Sequence, residues 1–211
     1  DNFNSEWCIS TSSYNKDDWI LMQLHKMLIQ VFHNYGYTQY ISRYLRKEKG
    51  IRYYDFYKDL CEFIINDMRK DFYIDDIKIH LKKFLKDSKI SFEMPLHSYP
   101  SIHLDPSLFL MYQIQTIDLT PIKIWLLLNF DESEVFEDLI DFNFESVFTI
   151  DYYPGKIISS KYNWWEYFSK KKPLKKVSSK FSIMERFTLI ALFGSISLAP
   201  FYILEEIYYS S

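Results

Sequence analysis

Leu119-Thr120-Pro121-Ile122-Lys123-Ile124-Trp125-Leu126-Leu127-Leu128-Asn129-Phe130 is the stretch on which the fold assignment turns. From Ile122 the apolar residues Ile122, Ile124, Leu126, Leu128 and Phe130 recur at every second position, the period of a strand with one buried face. The preceding run, Leu108 to Asp118, is also strand-like, and the short Leu119-Thr120-Pro121 connection between the two suits a hairpin. Working outward, Ile90, Phe92 and Met94 alternate with polar neighbours, as do Phe142, Phe144, Phe148 and Ile150. Tyr153-Pro154-Gly155-Lys156 has the Pro-Gly order of a type II turn, after which Lys156 to Tyr162 returns as a further strand.

Upstream of Asp87 the period is helical. Ile20, Leu24, Met27, Leu28 and Val31 share a face behind Asp17 and Asp18, which suit a helix N-terminus. Thr38 to Lys49, Tyr54 to Lys70 and Asp76 to Lys86, with Asp75 as a cap, complete four helices. Ser169 to Lys180 is Lys-rich, contains Pro173 and reads as an exposed loop. The expected fold is therefore α+β. N-terminal helices (17–87) pack on a four- to five-stranded antiparallel meander sheet (88–162), closed by C-terminal helices (182–209), in one domain over residues 1–211.

Composition narrows the function classes. The chain has 211 residues, 48% hydrophobic and 19% aromatic, with 4 glycines, which excludes disordered and Gly-rich architectures. The excess of Ile, Lys, Tyr, Phe and Asn has the stamp of an AT-rich genome, so aromatic richness alone is not a binding feature. A net charge of −3 argues against capture of nucleic acid or anionic membrane by the protein as a whole. Cys8 and Cys61 have no metal-type spacing and admit either one disulfide or two thiols. The chain starts at Asp1 without an initiator Met, consistent with an upstream segment having been removed, either because the sequence begins part-way or by cleavage of a signal or anchor, and cytoplasmic and exported locations both stay open. Phe187 to Leu204 runs without a charge, long enough to cross a bilayer, although Gly194 and Pro200 interrupt it. A buried helix, bend and helix is the preferred reading, with membrane attachment as the alternative.

Few residues point to chemistry. His97, His103 and Asp105 share one loop, and a His-x-Asp pair with a distal histidine is a non-haem iron pattern. No histidine follows His103, so loop packing is preferred and no metal or cofactor is expected. His25, His33 and His80 fall on predicted helices as rim positions. No Gly-x-Ser-x-Gly elbow, dinucleotide fingerprint or phosphate loop exists, and neither cysteine lies in a nucleophile signature. Ser182-Ile183-Met184-Glu185-Arg186-Phe187, followed by an apolar run into Tyr202-Ile203-Leu204-Glu205-Glu206, resembles the signature-to-Walker-B stretch of ABC-type ATPases. The signature glycines and a Walker A are absent, so no ATPase activity is inferred.

Two charged segments remain. Asp131, Glu132, Glu134, Glu137, Asp138 and Asp141 cluster between predicted strands, as a solvated connection or an acidic docking surface for a basic partner. Lys161 to Phe168, with Trp164 and Trp165, continues into Lys170, Lys171, Lys172, Lys175, Lys176 and Lys180. That mixture of rings and cations suits a membrane interface or single-stranded nucleic acid, but packed aromatics beside a solvated loop are preferred. The expectation is a non-enzymatic protein-binding domain, such as an inhibitor or an immunity protein that neutralises a toxin, engaging a protein partner through the acidic segment and through Lys123 and Trp125. A subunit of a larger, membrane-attached assembly is the first alternative, and an enzyme of unrecognised family the second.

Overall fold

The computed structural model describes residues 11–87, 90–96, 100–147 and 157–182. Among these the chain is mainly helical. Eight α-helices and two small two-stranded sheets replace the expected four- to five-stranded meander. The α+β antiparallel-sheet reading fails at the stretch that decided it. Leu108 to Asp118 lies largely in helix α5 (Pro106–Ile114), Ile122 to Phe130 lies in α6 (Thr120–Phe130), and Phe142 to Glu145 ends α7 (Glu134–Glu145).

The physical reason sits at the helix starts. Asp105 accepts from the Ser107 amide at 2.8 Å just before Pro106, and Asp118 accepts from the Thr120 amide at 2.9 Å just before Pro121. An Asp that accepts from a first-turn amide, as the cap itself (Asp105) or one residue before it (Asp118, ahead of Leu119), followed by Pro in that turn, marks a helix N-terminus, because Pro gives up only an amide that would be unpaired there. In α7, Ser133 Oγ accepts from the Phe136 amide at 3.3 Å. Buried Phe136, Leu139, Ile140 and Asn143 then repeat at helical intervals. The alternation read in α6 arises because that helix is apolar on nearly every face, so a period of two is found in it by accident. Its consecutive leucines, 126 to 128, also favour helix over strand.

The described residues fall into two units. Unit 1 contains those through Val31 and from Tyr54 to Ile117, and unit 2 contains Phe32–Tyr53 and those from Asp118 onward. In unit 1, α1 (Lys16–Ile29) packs against α4 (Ile74–Lys86) and α5, while α3 (Tyr53–Asn66) buries Phe56, Leu60, Cys61 and Ile64. A capping box starts α1. Asn15 accepts from the Asp17 and Asp18 amides, and Asp18 returns a carboxylate to the Asn15 amide at 2.9 Å. Trp19 stacks on Phe84 at 6.3 Å. Met94–Pro95 (β1) pairs antiparallel with His103–Leu104 (β2), all that the described residues show of the strand expected near Ile90.

Unit 2 carries α2 (Gln39–Lys49), α6, α7, β3 (Ile157–Tyr162), α8 (Trp164–Ser169) and β4 (Lys176–Ser182). The strand expected from Lys156 to Tyr162 is present as β3. The exposed loop expected up to Lys180 gives way to β4, which pairs antiparallel with β3. Buried Ile158, Ser160 and Tyr162 alternate with exposed Ile157, Ser159 and Lys161. The register skips between Ser160 and Tyr162, leaving Lys161 out of the ladder.

Asn143 fastens α7 to the entry of α2. It is wholly buried, accepts from the Tyr40 amide at 2.9 Å, and donates to the carbonyls of Gly36 at 3.0 Å and Tyr37 at 2.6 Å. Nearby, the Tyr37 side chain is 3% exposed, and its hydroxyl has no hydrogen-bond partner among the described residues. Burial also pushes that phenol well above the usual tyrosine range. Because an unsatisfied buried hydroxyl costs free energy, Tyr37→Phe is expected to raise stability by about 1 kcal/mol, read from the urea midpoint at unchanged m.

The Cys8 pairing, the Pro154-Gly155 turn, the 187–204 apolar run and the stretch resembling the ATPases beyond Ser182 lie outside the described residues. Among the described residues, no helix is long and apolar enough to cross a membrane.

Candidate functional site

Helix α7 arranges the acidic cluster. Glu134, Glu137, Asp138 and Asp141 fall opposite the buried stripe of Phe136, Leu139, Ile140 and Asn143, so one face is carboxylate and the other is core. The sequence places these residues between strands, and the structure instead lines four of them along one helix. Asp131 precedes the helix and accepts from the Ser133 amide at 2.9 Å. Glu132 is exposed beside it.

Most of this charge is answered from within unit 2. Glu134 receives Lys161 from β3 and Lys176 from β4, both at 3.0 Å. Those lysine contacts hold its carboxyl below the usual range. Lys123 of α6 reaches Asp141 at 2.7 Å and Glu137 at 3.1 Å. Burial works against the Lys123 charge, but the hydrogen bonds it donates to the two carboxylates outweigh that and the ammonium is held above its ordinary value. Asp131 pairs with Lys49 at 2.8 Å. Its burial likewise opposes ionisation, and hydrogen bonds from Lys49 and Ser133 more than offset it, so the carboxyl lies below the usual value.

Asp138 is the structural centre of the row. One oxygen accepts from the Trp164 indole at 2.7 Å, and the other accepts from the Lys161 backbone amide at 2.9 Å, the amide that the register skip turns out of the ladder. Trp164 is wholly buried, meets Tyr44 edge-on at 5.8 Å and stacks over Phe168 at 6.0 Å. Tyr44 in turn lies 6.0 Å from Phe136. Exposed ion pairs contribute little, so the part of this row that matters energetically is the charge-assisted bond to a buried indole.

Lys123 and Trp125 were expected on the outer side of a hairpin, and they stand on α6 instead. Trp125 is half-buried and meets Phe130 edge-on at 5.4 Å. In the Lys-rich segment, Lys172 and Lys170 bond Glu166 at 2.6 and 3.9 Å, while Lys47 lies 3.8 Å from the centre of the Tyr167 ring. The Tyr167 hydroxyl donates to Glu48. Sequence reasoning missed Asn143 and the Asp138–Trp164 pair. Read as a helix, the segment would have shown Asn143 as the one polar member of an apolar stripe.

The other chemistry-bearing residues are accounted for locally. Asp105 caps α5, His103 is exposed on β2, and His97 lies outside the described residues. Among the described residues, no group of three potential ligands is placed to hold a metal ion. Burial, with Glu62 adding to it, pushes the Cys61 thiol up to about 12, so at neutral pH it is not a thiolate nucleophile. His80 Nε2 lies 3.1 Å from the Phe92 carbonyl. His25 is held below the ordinary histidine value, chiefly by burial, with Glu62 opposing.

No protein-family model matches the chain. Over 88 residues, 42% of its length, the chain is 30% identical to the 2-(S-pantetheinyl)-carbapenam-3-carboxylate methyltransferase of Streptantibioticus cattleyicolor, and that stretch spans 13% of the methyltransferase.

Proposed function

We propose that this chain is a non-catalytic, helix-rich binding module that serves a larger enzyme assembly, with a methyltransferase-type enzyme as the class of assembly. The similarity carries the reading. It extends over 88 residues that make up 13% of a methyltransferase, a segment shorter than a typical catalytic domain. What is shared at that size is better suited to packing and positioning than to a complete methyl-transfer centre.

The site geometry supports the same direction. The α7 carboxylates Glu134, Glu137 and Asp141 are occupied by Lys123, Lys161 and Lys176, Asp131 just before the helix by Lys49, and Asp138 is spent on Trp164 and a backbone amide. Such groups hold elements together and are poorly poised to move a proton. On α6, Ile124 and Leu128 are 51% and 68% exposed one helical turn apart, an apolar pair of the kind that contacts between chains use.

Lysine-directed cross-linking in cells of the source organism tests the proposal. The expected product joins this chain to polypeptide similar to the remaining portion of the methyltransferase. Micromolar binding of the methyl donor S-adenosylmethionine to this chain alone, measured by calorimetry, would overturn the non-catalytic part. Cross-links confined to an unrelated protein would overturn the assembly part.

A self-standing inhibitor of a basic toxin is the second reading. It is favoured by the side chains of Glu134, Glu137 and Asp141, which stay about half exposed despite their lysine partners. Reversing charge at Glu134, Glu137 and Asp141 should abolish capture of such a partner, and unchanged capture removes the acidic surface from consideration.

A further inference from the structure

Away from α7, unit 2 holds a second group of charged and titratable residues, in which no acid among the described residues pairs with the two arginines. His33 lies half-buried in a π-helical turn, Gln30–Asn34, with its ring 5.9 Å from that of Tyr53 and tilted 60° to it. Helix α2 places Arg43 and Arg46 three residues apart and hence on one face. The Arg46 guanidinium carbon stands 4.8 Å from the centre of the same Tyr53 ring. Both arginines are exposed, and neither has an ion pair or hydrogen bond among the described residues.

The contrast lies within the same helix. Lys47 is met by Glu48 at 3.5 Å and Lys49 by Asp131 at 2.8 Å. The chain carries 28 acidic residues and a net charge of −3, so acids are not scarce. Arg46 and His33 meet one aromatic ring, and Arg43, on the same face of α2 as Arg46, acts on the His33 imidazole; the cationic groups repel one another, and an anion among them relieves that repulsion. Guanidinium forks match tetrahedral oxyanions, and an arginine laid over an aromatic face keeps its donors oriented.

We propose that His33, Arg43, Arg46 and Tyr53 form a binding site for a phosphoryl group carried on a small molecule. Arg43 and Arg46 supply the paired donors, the Tyr53 face steadies Arg46, and His33 completes the site by taking up a proton as the anion arrives. Without an anion, burial first and Arg43 second keep the His33 pKa below the ordinary histidine value. A bound dianion works against both, so binding and protonation of His33 are linked, and each strengthens the other.

The test follows the His33 imidazole by NMR while inorganic phosphate is titrated into the whole chain, with chloride holding the ionic strength constant. A saturable shift of His33 is expected, with a raised pKa, while His25 in unit 1 stays unchanged as the internal reference. Arg43→Gln and Arg46→Gln should each weaken phosphate by about tenfold, the cost of one charge-assisted contact. Arg43→Gln should also raise the His33 pKa before any phosphate is added. Both arginines are exposed, so the variants should keep the parent near-ultraviolet circular dichroism. A His33 response no larger with phosphate than with chloride overturns the proposal, as does a response that survives both substitutions. Saturation by a single-stranded oligonucleotide where inorganic phosphate gives none also overturns it, and points to a polymer backbone instead.

Discussion

Replacing Asn143 with leucine should lower stability by about 4 kcal/mol, because three buried backbone groups lose their partners at once and each unmade bond costs about 1–3 kcal/mol. The orphaned groups are the Tyr40 amide and the carbonyls of Gly36 and Tyr37. For a chain of this size the melting temperature should fall by roughly 8–16 °C. Leucine keeps the volume, so the loss reports hydrogen bonding and not a cavity. Asn143→Asp should be worse still. It keeps an acceptor for the Tyr40 amide but turns carboxylate oxygen towards two carbonyls in a buried site. Urea unfolding of the three proteins gives the ranking, and a leucine variant within about 1 kcal/mol of the parent would refute this account of how α7 is joined to α2.

The second large effect is at Trp164. Truncation to alanine removes the ring that Tyr44 and Phe168 pack against and should cost about 4 kcal/mol, in the range of other buried aromatic deletions. Trp164→Phe keeps most of the packing but deprives Asp138 of the indole donor, and should cost about 2 kcal/mol. A double-mutant cycle with Asp138→Ala separates the two contributions. A coupling of about 1–2 kcal/mol is expected, and additive losses would show that the indole bond contributes nothing beyond packing.

The front of the molecule was legible because polar and apolar residues there are sharply separated. Ile74, Ile77 and Leu81 are buried in α4, while Lys78, Lys82 and Lys83 face away or sit at the rim. The third helix is shorter than its pattern suggested, ending at Asn66 and not near Lys70. The middle was misread where that separation vanishes. In α6, Trp125, Leu126, Leu127 and Leu128 are consecutive, so hydrophobicity carries no period, and capping chemistry should have decided. Asp105-Pro106 and Asp118-x-Thr120-Pro121 are two such signals, and giving them more weight than alternation would have replaced the hairpin with two helices.

The candidate site was half legible for a related reason. The acidic residues are conspicuous by composition, and their grouping is real, but their lysine partners are distant in sequence. Lys161 and Lys176 lie 27 and 42 positions from Glu134, so nothing local announces that the charge is answered. The cationic group around Tyr53 was missed because His33 and Arg43 belong to different helical turns, which only the fold brings near one another.

The skipped position in β3 also bears on how this hairpin avoids unwanted company. A two-stranded ribbon leaves both borders open to strand addition, the first step of aggregation. Along β3, α7 packs against the strand and Asp138 consumes the Lys161 amide, so an incoming strand cannot pair with that amide. Along β4 the exposed Lys180 repels a second copy of the same border. Losing Asp138 should therefore do more than loosen Trp164: it would reopen a template on which chains can stack.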